Sequence, residues 1–163
     1  MLEPKTYRRR SARLLVVDDA ERVLLLRFRT EHGHIWLTPG GGVRDGEPLR
    51  DAAAREALEE IGLVVTPDDL GAPVAYSFGH AEFSWATGIF RDDFFYFRVT
   101  THDVDTSRME KLEQSHHGGH RWWTTGELTA TTETVYPLQL VPLLTGLSTN
   151  PATAKPVQLP WHH

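Results

Sequence analysis

The stretch LTPGGGVRDGEPLRDAAAREALEEIGLVV, residues 37–65, sets three consecutive glycines ahead of a run that reads as a helix carrying Glu56, Glu59 and Glu60. Successive residues of an ideal helix advance by about 100°, so these glutamates, at i, i+3 and i+4, fall within an arc of roughly 100°. Ala54, Ala57, Leu58 and Ile61 fill another arc, the face expected to pack on a sheet, with the carboxylates flanking it. Pro48 suits a first helical turn and Gly62 a C-terminal cap. Gly40, Gly41 and Gly42 predict a tight turn whose backbone could approach an ion or ligand, and Gly46 a second turn.

Three carboxylates on one helix face repel, at a few tenths of a kcal/mol per neighbouring pair. Arg55 reaches Glu59 at i+4 and offsets part of this. A hard divalent cation offsets more, because Mg²⁺ takes oxygen ligands and bridges carboxylates to substrate phosphates. A solvated acidic face is the alternative reading of EALEE taken alone.

Outward from this stretch, residues 12–17 and 22–28 read as a strand pair joined by the polar turn 18–21. HIWLTPGGG gives a short strand stopped by Pro39. VAYSF and DDFFYFRV read as strands flanking a variable loop around GHAEFSWATGIFR, HRWWTT as a short strand, and GELTAT as a turn of helix. VYPLQLVPLLTGL predicts a terminal helix with Pro137 near its start and a kink at Pro142. Strands around a central helix, with another helix near the end, predict an α/β fold built on a mixed sheet with helices on its faces. One domain over residues 1–147 is expected, with 148–163 an extended Pro-rich tail that could fold back over the site, since Trp161 is a large apolar group to leave in water.

The 163 residues suffice for one domain with its own core. Hydrophobic residues make up 40% and charged residues 24%, which excludes a disordered chain. A net charge of -5 argues against a nucleic-acid partner bound through a broad basic surface. It leaves room for a small phosphorylated ligand. The absence of cysteine excludes disulfides, thiolate catalysis and thiolate metal sites. No stretch is apolar enough to span a bilayer, so no membrane association is expected and the cytoplasm is the simplest compartment.

The segment 41–63 resembles the Nudix box, G-x5-E-x7-R-E-U-x-E-E-x-G-U with U aliphatic: Gly41, then Glu47, then REALEEIGL over residues 55–63, with the small Ala57 at the first U position. The order of the outer elements, over roughly residues 12–144, is similar to that of a Nudix domain. The resemblance implies a Nudix-like α/β/α sandwich with a mixed β-sheet. It implies an enzyme, a pyrophosphohydrolase that uses Mg²⁺ or Mn²⁺ and water to cut the diphosphate linkage of a nucleoside diphosphate derivative. By the same resemblance Glu56, Glu59 and Glu60 would bind metal, with the carbonyl of Gly40 a further ligand. Arg55 would orient a catalytic glutamate, and Glu47 would hold loop and helix together.

The general base is left open between Glu59 or Glu60 on the helix and Glu113 in the loop MEKLEQSHHGGHRWW; His116, His117 and His120 could also reach the site. Candidates for contacting substrate are Arg27 and Arg29, on a common strand face, and Trp36, just before the glycines. Of Trp122 and Trp123, adjacent on a strand, one should be buried and the other more exposed. The substrate is expected to be a noncanonical or oxidised nucleoside triphosphate, or else ADP-ribose or a nucleotide sugar. A noncatalytic nucleotide sensor is the alternative, though such domains often lose a box glutamate and this chain keeps them all. Dimers are common in the family, and the early strands or the tail could contribute to one.

Overall fold

A computed structural model describes residues 4, 6–149 and 155–162. Among them β1 (Arg9–Val17), β2 (Val23–Thr30), β3 (Gly33–Leu37) and β4 (Gly40–Gly42) precede α1 (Leu49–Ile61) and the short α2 (Pro67–Leu70). β5 (Ala75–Glu82) and β6 (Thr87–Arg98) follow, then α3 (Lys111–His116), β7 (His117–Trp123), α4 (Thr125–Ala130), β8 (Thr134–Tyr136), α5 (Leu140–Thr149) and β9 (Val157–Gln158).

The strands form one mixed sheet in the order β8-β3-β2-β1-β6-β5-β9, with β4 also pairing β1 and β7 also pairing β2. β1 runs parallel to β6 and antiparallel to β2 and β4. The alternation of a strand assigns its residues to two layers. Leu14 and Val16 of β1 face a core shared with Ala53, Ala57 and Ile61 of α1. Leu15 and Val17 face a second core shared with Leu140, Leu144 and Leu147 of α5. One helix on each face is the α/β/α layering expected from the sequence.

Several expectations are corrected. The tri-glycine run is not a turn: it is β4, paired with Ser11, Ala12 and Arg13 of β1. The variable loop around residues 79–91 is mostly ordered sheet, the two arms of the β5–β6 hairpin, which pair from Ala75 opposite Phe94 to Glu82 opposite Thr87. α5 begins at Leu140, leaving Val135 and Tyr136 in β8, and runs through Ser148 and Thr149, which the sequence had assigned to the tail. Pro142 therefore sits in the first turn, where its missing N–H is one that a helix leaves unpaired anyway, so no kink is required. Tail residues 150–154 and 163 lie outside the described residues.

The helix α1 buries a different face from the one expected. Ala52, Ala53, Glu56, Ala57, Glu60 and Ile61 are buried, while Leu58 is exposed. Alanines let the helix lie close against β1 and β4, and the glutamates go inward with them. The helix ends at Gly62 with φ 67°, where the N–H groups of Gly62 and Leu63 close on the carbonyls of Leu58 and Ala57. Trp123 is buried and Trp122 only partly so, as alternation requires. No helix among the described residues is long and apolar enough to cross a membrane.

Candidate active site

The site is assembled where β4 lies between β1 and α1. Gly40 adopts φ 144°, and a Cβ there would overlap the carbonyl of Ala12 in the neighbouring strand, so only glycine fits. At Gly41 a Cβ would come 2.6 Å from the carboxylate of Glu56. The bare backbone thus leaves room for two inward carboxylates. The Gly40 N–H donates to Glu60 Oε2 at 3.1 Å.

Arg55 organises the rest with five hydrogen bonds. Its Nε and one Nη donate to Glu47 at 3.0 and 2.9 Å, a bidentate fork. The other Nη donates to Glu56 Oε1 at 2.9 Å and Glu59 Oε2 at 3.2 Å, and a further bond at 2.9 Å reaches the Gly42 carbonyl. Glu47 also accepts from the Arg44 N–H at 3.0 Å, so loop and helix are locked together. Its hydrogen bonds with Arg55 pull the Glu47 carboxyl down to about 2.

Glu56 and Glu60 are desolvated, and burial raises both carboxyls above their ordinary range. For Glu56 this is opposed by Arg55; for Glu60 it is reinforced by a hydrogen bond with Glu113. One ligand atom each from Glu56, Glu60 and Glu113 lie within 4.8 Å of one another. Glu56 Oε2 is buried with no hydrogen-bond partner, although Oε1 is held by Arg55. Three carboxylates gathered in this way, one of them with a buried unpartnered oxygen, have the donor chemistry that suits a hard divalent cation such as Mg²⁺ or Mn²⁺.

The expected carboxylates are therefore regrouped. Glu113 joins Glu56 and Glu60, whereas Glu59 stands outside the trio, held by Arg55 and lying 3.8 Å from Arg44. Glu113 arrives on a short helix, where the sequence predicted a loop. The buried Met109 anchors that helix, and the Gln114 side chain donates to the Met109 carbonyl at 2.8 Å. The Gly40 carbonyl, expected to face an ion, accepts from Arg13 Nη1 at 3.2 Å.

Arg13 connects the carboxylates to a cavity of about 250 Å³. It donates to the Thr38 carbonyl at 3.4 Å and lies 3.9 Å from Asp92, and all three residues line that cavity. Arg9 lines it too, with its guanidinium 5.2 Å from the Trp85 ring centre and within the field of Glu56 and Glu113. Phe83, Trp85, Phe90, Tyr136 and Trp161 supply an aromatic part of the wall. The cavity thus offers two arginines, one carboxylate, Asp92, and a set of aromatic rings; Glu56, Glu60 and Glu113 are not among its lining residues, and Arg9 and Arg13 link them to it, Arg9 in the field of Glu56 and Glu113 and Arg13 in that of Glu60.

Arg27, Arg29 and Trp36 are not among its lining residues. Trp36 is buried edge-on against Trp123 at 5.2 Å, with the Arg27 guanidinium 5.9 Å above its ring, and Arg29 donates to the Ser115 carbonyl at 3.3 Å. Strand alternation turns Trp36 away while Ile35 and Leu37 line the cavity. His117 packs against Phe28 at 5.8 Å. The lining residues that the sequence reading missed, Arg9, Arg13 and Asp92, lie on β1 and β6; Arg13 and Asp92 carried a signal, a charge within a run read as a strand, whereas Arg9 lay in the arginine run ahead of the strand expected over residues 12–17.

A family profile for the NUDIX domain matches residues 7–144. The m7GpppN-mRNA hydrolase NUDT17 of Danio rerio is 38% identical over 60 residues, 34% of this chain and 20% of that protein. The chain thus matches about a fifth of that relative's length. Among solved structures, a MutT protein from Methanosarcina mazei Go1 superposes with a TM-score of 0.64 at 19% identity, over 93% of this chain and 100% of the other. The E. coli dihydroneopterin triphosphate pyrophosphohydrolase gives 0.62 at 18% identity, over 90% of this chain and 99% of the other. At those identities the likeness is one of fold.

Proposed function

The chain belongs to the Nudix family, and from that premise we propose that it is a divalent-cation-dependent hydrolase cleaving the diphosphate linkage of a nucleotide derivative by attack of water at phosphorus. One observation carries the proposal: oxygens of Glu56, Glu60 and Glu113 gather within 4.8 Å, with one buried oxygen of Glu56 unpartnered, beside a cavity holding Arg9 and Arg13. A fully matched box on a helix whose glutamates were merely solvated would leave no such orphan.

Glu56, Glu60 and Glu113 would hold the Mg²⁺ or Mn²⁺. When bound, the cation neutralises phosphate charge and lowers the pKa of a bound water. The chain's own residues do the remaining work. Arg55 fixes Glu56 and draws Glu59 towards the site, Gly40 N–H orients Glu60, and Arg9 and Arg13 supply positive charge for phosphate oxygens. Glu113, opposite Glu60 and on a separate element, is the best-placed acceptor for the proton of attacking water; Glu60 hydrogen-bonds the Gly40 amide and lies deeper. Little covalent chemistry is asked of the protein. The aromatic wall supports a substrate with a planar group attached to its phosphates, a demand met by nucleoside triphosphates, ADP-ribose, nucleotide sugars and capped nucleotides alike.

The test is hydrolysis by the purified protein with Mg²⁺ or Mn²⁺ across those compounds and oxidised nucleoside triphosphates, read as pyrophosphate from the triphosphates and as new phosphomonoesters from the others. Glu60→Gln keeps an acceptor for Gly40 N–H but removes the charge, and it is expected to reduce turnover at least about a hundredfold, more than removing an outer-shell partner of a metal typically does. Turnover unchanged in Glu60→Gln would overturn the metal assignment. Tight nucleotide binding without hydrolysis by the parent protein would favour a sensor.

A further inference from the structure

Trp161 and His162 lie far from the box in sequence, yet both line the cavity. They are brought there by a defined seat. β9 pairs parallel with β5, the Val157 N–H donates to the Val74 carbonyl at 2.9 Å, and the Leu159 N–H donates to the Tyr76 carbonyl at 2.8 Å. Leu159 itself is buried in the core beneath α5. Two residues on, Trp161 Nε1 donates to the His80 carbonyl at 3.1 Å.

Gly79 completes the seat. A Cβ at this position would overlap Cδ1 and Cγ of the Trp161 indole, so a strand glycine marks the close approach of a rigid ring to the backbone. His162 then stacks on Tyr136 at 4.3 Å and lies 4.7 Å from Trp161. The β5–β6 hairpin supplies a second aromatic group to the same cavity, with Phe83 stacked on Trp85 at 5.3 Å and 3°. Trp85 is 57% exposed, an unusual state for so large an apolar ring unless something covers it.

We infer that segment 155–162 is a wall of the substrate site, and that Trp161, seated on Gly79 of the β5–β6 hairpin, packed with Phe83 against the cluster of Ala81, Ala86 and Phe90 and backed by His162, positions the planar base of the nucleotide at the aromatic end of the cavity. This rests on the nucleotide reading above. The phosphates belong at the Arg9 and Arg13 end, beside the carboxylates; a base-free polyphosphate has no use for the aromatic end. Base stacking on an aromatic side chain tolerates any base, so the segment supplies affinity for bases as a class.

The two readings separate in an equilibrium titration by calorimetry with Mg²⁺ present. One probe set is α,β-methylene nucleoside triphosphates of the four common bases; the other is methylenediphosphonate, which has no base. Trp161→Ala is expected to weaken binding of the best nucleotide analogue about tenfold or more while changing methylenediphosphonate less than twofold. Trp161→Phe should keep most of the affinity, and Gly79→Ala, which displaces the indole without removing it, should reproduce the alanine variant. Thermal unfolding of each variant separates a lost seat from a lost fold. Unchanged nucleotide binding in both Trp161→Ala and Gly79→Ala, or an equal loss for both probes in folded variants, overturns the inference and leaves the hydrolase reading standing. A parent protein that binds methylenediphosphonate as tightly as every nucleotide analogue, or binds neither, overturns the nucleotide reading itself.

Discussion

Arg55 is the residue on which the site turns. It is largely buried, and it joins Glu47 in the loop to Glu56 and Glu59 on the helix. Removing one partner of a buried ion pair leaves the other desolvated and uncompensated. Arg55→Ala is therefore expected to lower stability by about 3 kcal/mol, close to 10 °C in the unfolding midpoint of a chain this size. Arg55→Lys keeps the charge but loses the planar fork that serves Glu47 bidentately. It should recover part of the stability and little of the turnover, because Glu56 and Glu59 would no longer be held together. Thermal melts and rates measured on the two variants check this, and an alanine variant as stable as the parent would contradict it. Most of the cluster was legible in the spacing of the box. The pairing of Arg55 with Glu59 was legible too, as an i, i+4 contact; that Glu113 and not Glu59 gathers with Glu56 and Glu60 was not, because a helical wheel gives angles on one helix and does not say which carboxylate arrives from another element.

At the scale of elements, the informative misreading is the buried face of α1. Hydrophobicity pointed to Ala54, Ala57, Leu58 and Ile61, yet the helix buries Glu56 and Glu60 and leaves Leu58 exposed. A periodicity count weighs apolar area only; it has no term for two glutamates that need to meet Glu113 from another element. Ala57 is fully buried against β1 and β4, so its small size is a packing requirement and not a relaxed aliphatic position. Ala57→Leu is expected to destabilise by about 1–3 kcal/mol through overpacking, despite conforming better to the aliphatic preference of the motif. Denaturant titration measures it, and a neutral or stabilising result would mean that the helix can lift from the sheet without loss. The same limit of local reading explains β4 and the β5–β6 hairpin. Glycines read as a turn until β1 is known to lie beside them, and the polar run around residues 79–91 reads as a loop until its antiparallel partner is in view.

For the whole molecule, the proton and the divalent cation should compete for the same carboxylates. Glu60 is raised above its usual range by burial and by its hydrogen bond with Glu113, and Glu56 by burial against the pull of Arg55. A carboxyl raised in the fold contributes stability that is present below its unfolded value of 4.5 and is lost as pH climbs through the folded value. Glu47, lowered to about 2, has the opposite sign: its contribution is present above 4.5 and lost as pH falls towards 2. His117, lowered by burial, favours the fold as pH rises past its usual 6.5 and so works against the glutamate trend. The share due to Glu60 is therefore best read as the difference between the parent protein and Glu60→Gln. In a chelator, the melting temperature of the parent should fall relative to Glu60→Gln as pH rises from 5 to 8. Adding Mn²⁺ should close that gap, most strongly at pH 8, because ligand carboxylates must be deprotonated to bind. A gap that does not vary with pH, or one that Mn²⁺ leaves open, would mean that the buried Glu56 and Glu60 are satisfied without the cation and would break the link between the fold's least comfortable charges and its chemistry.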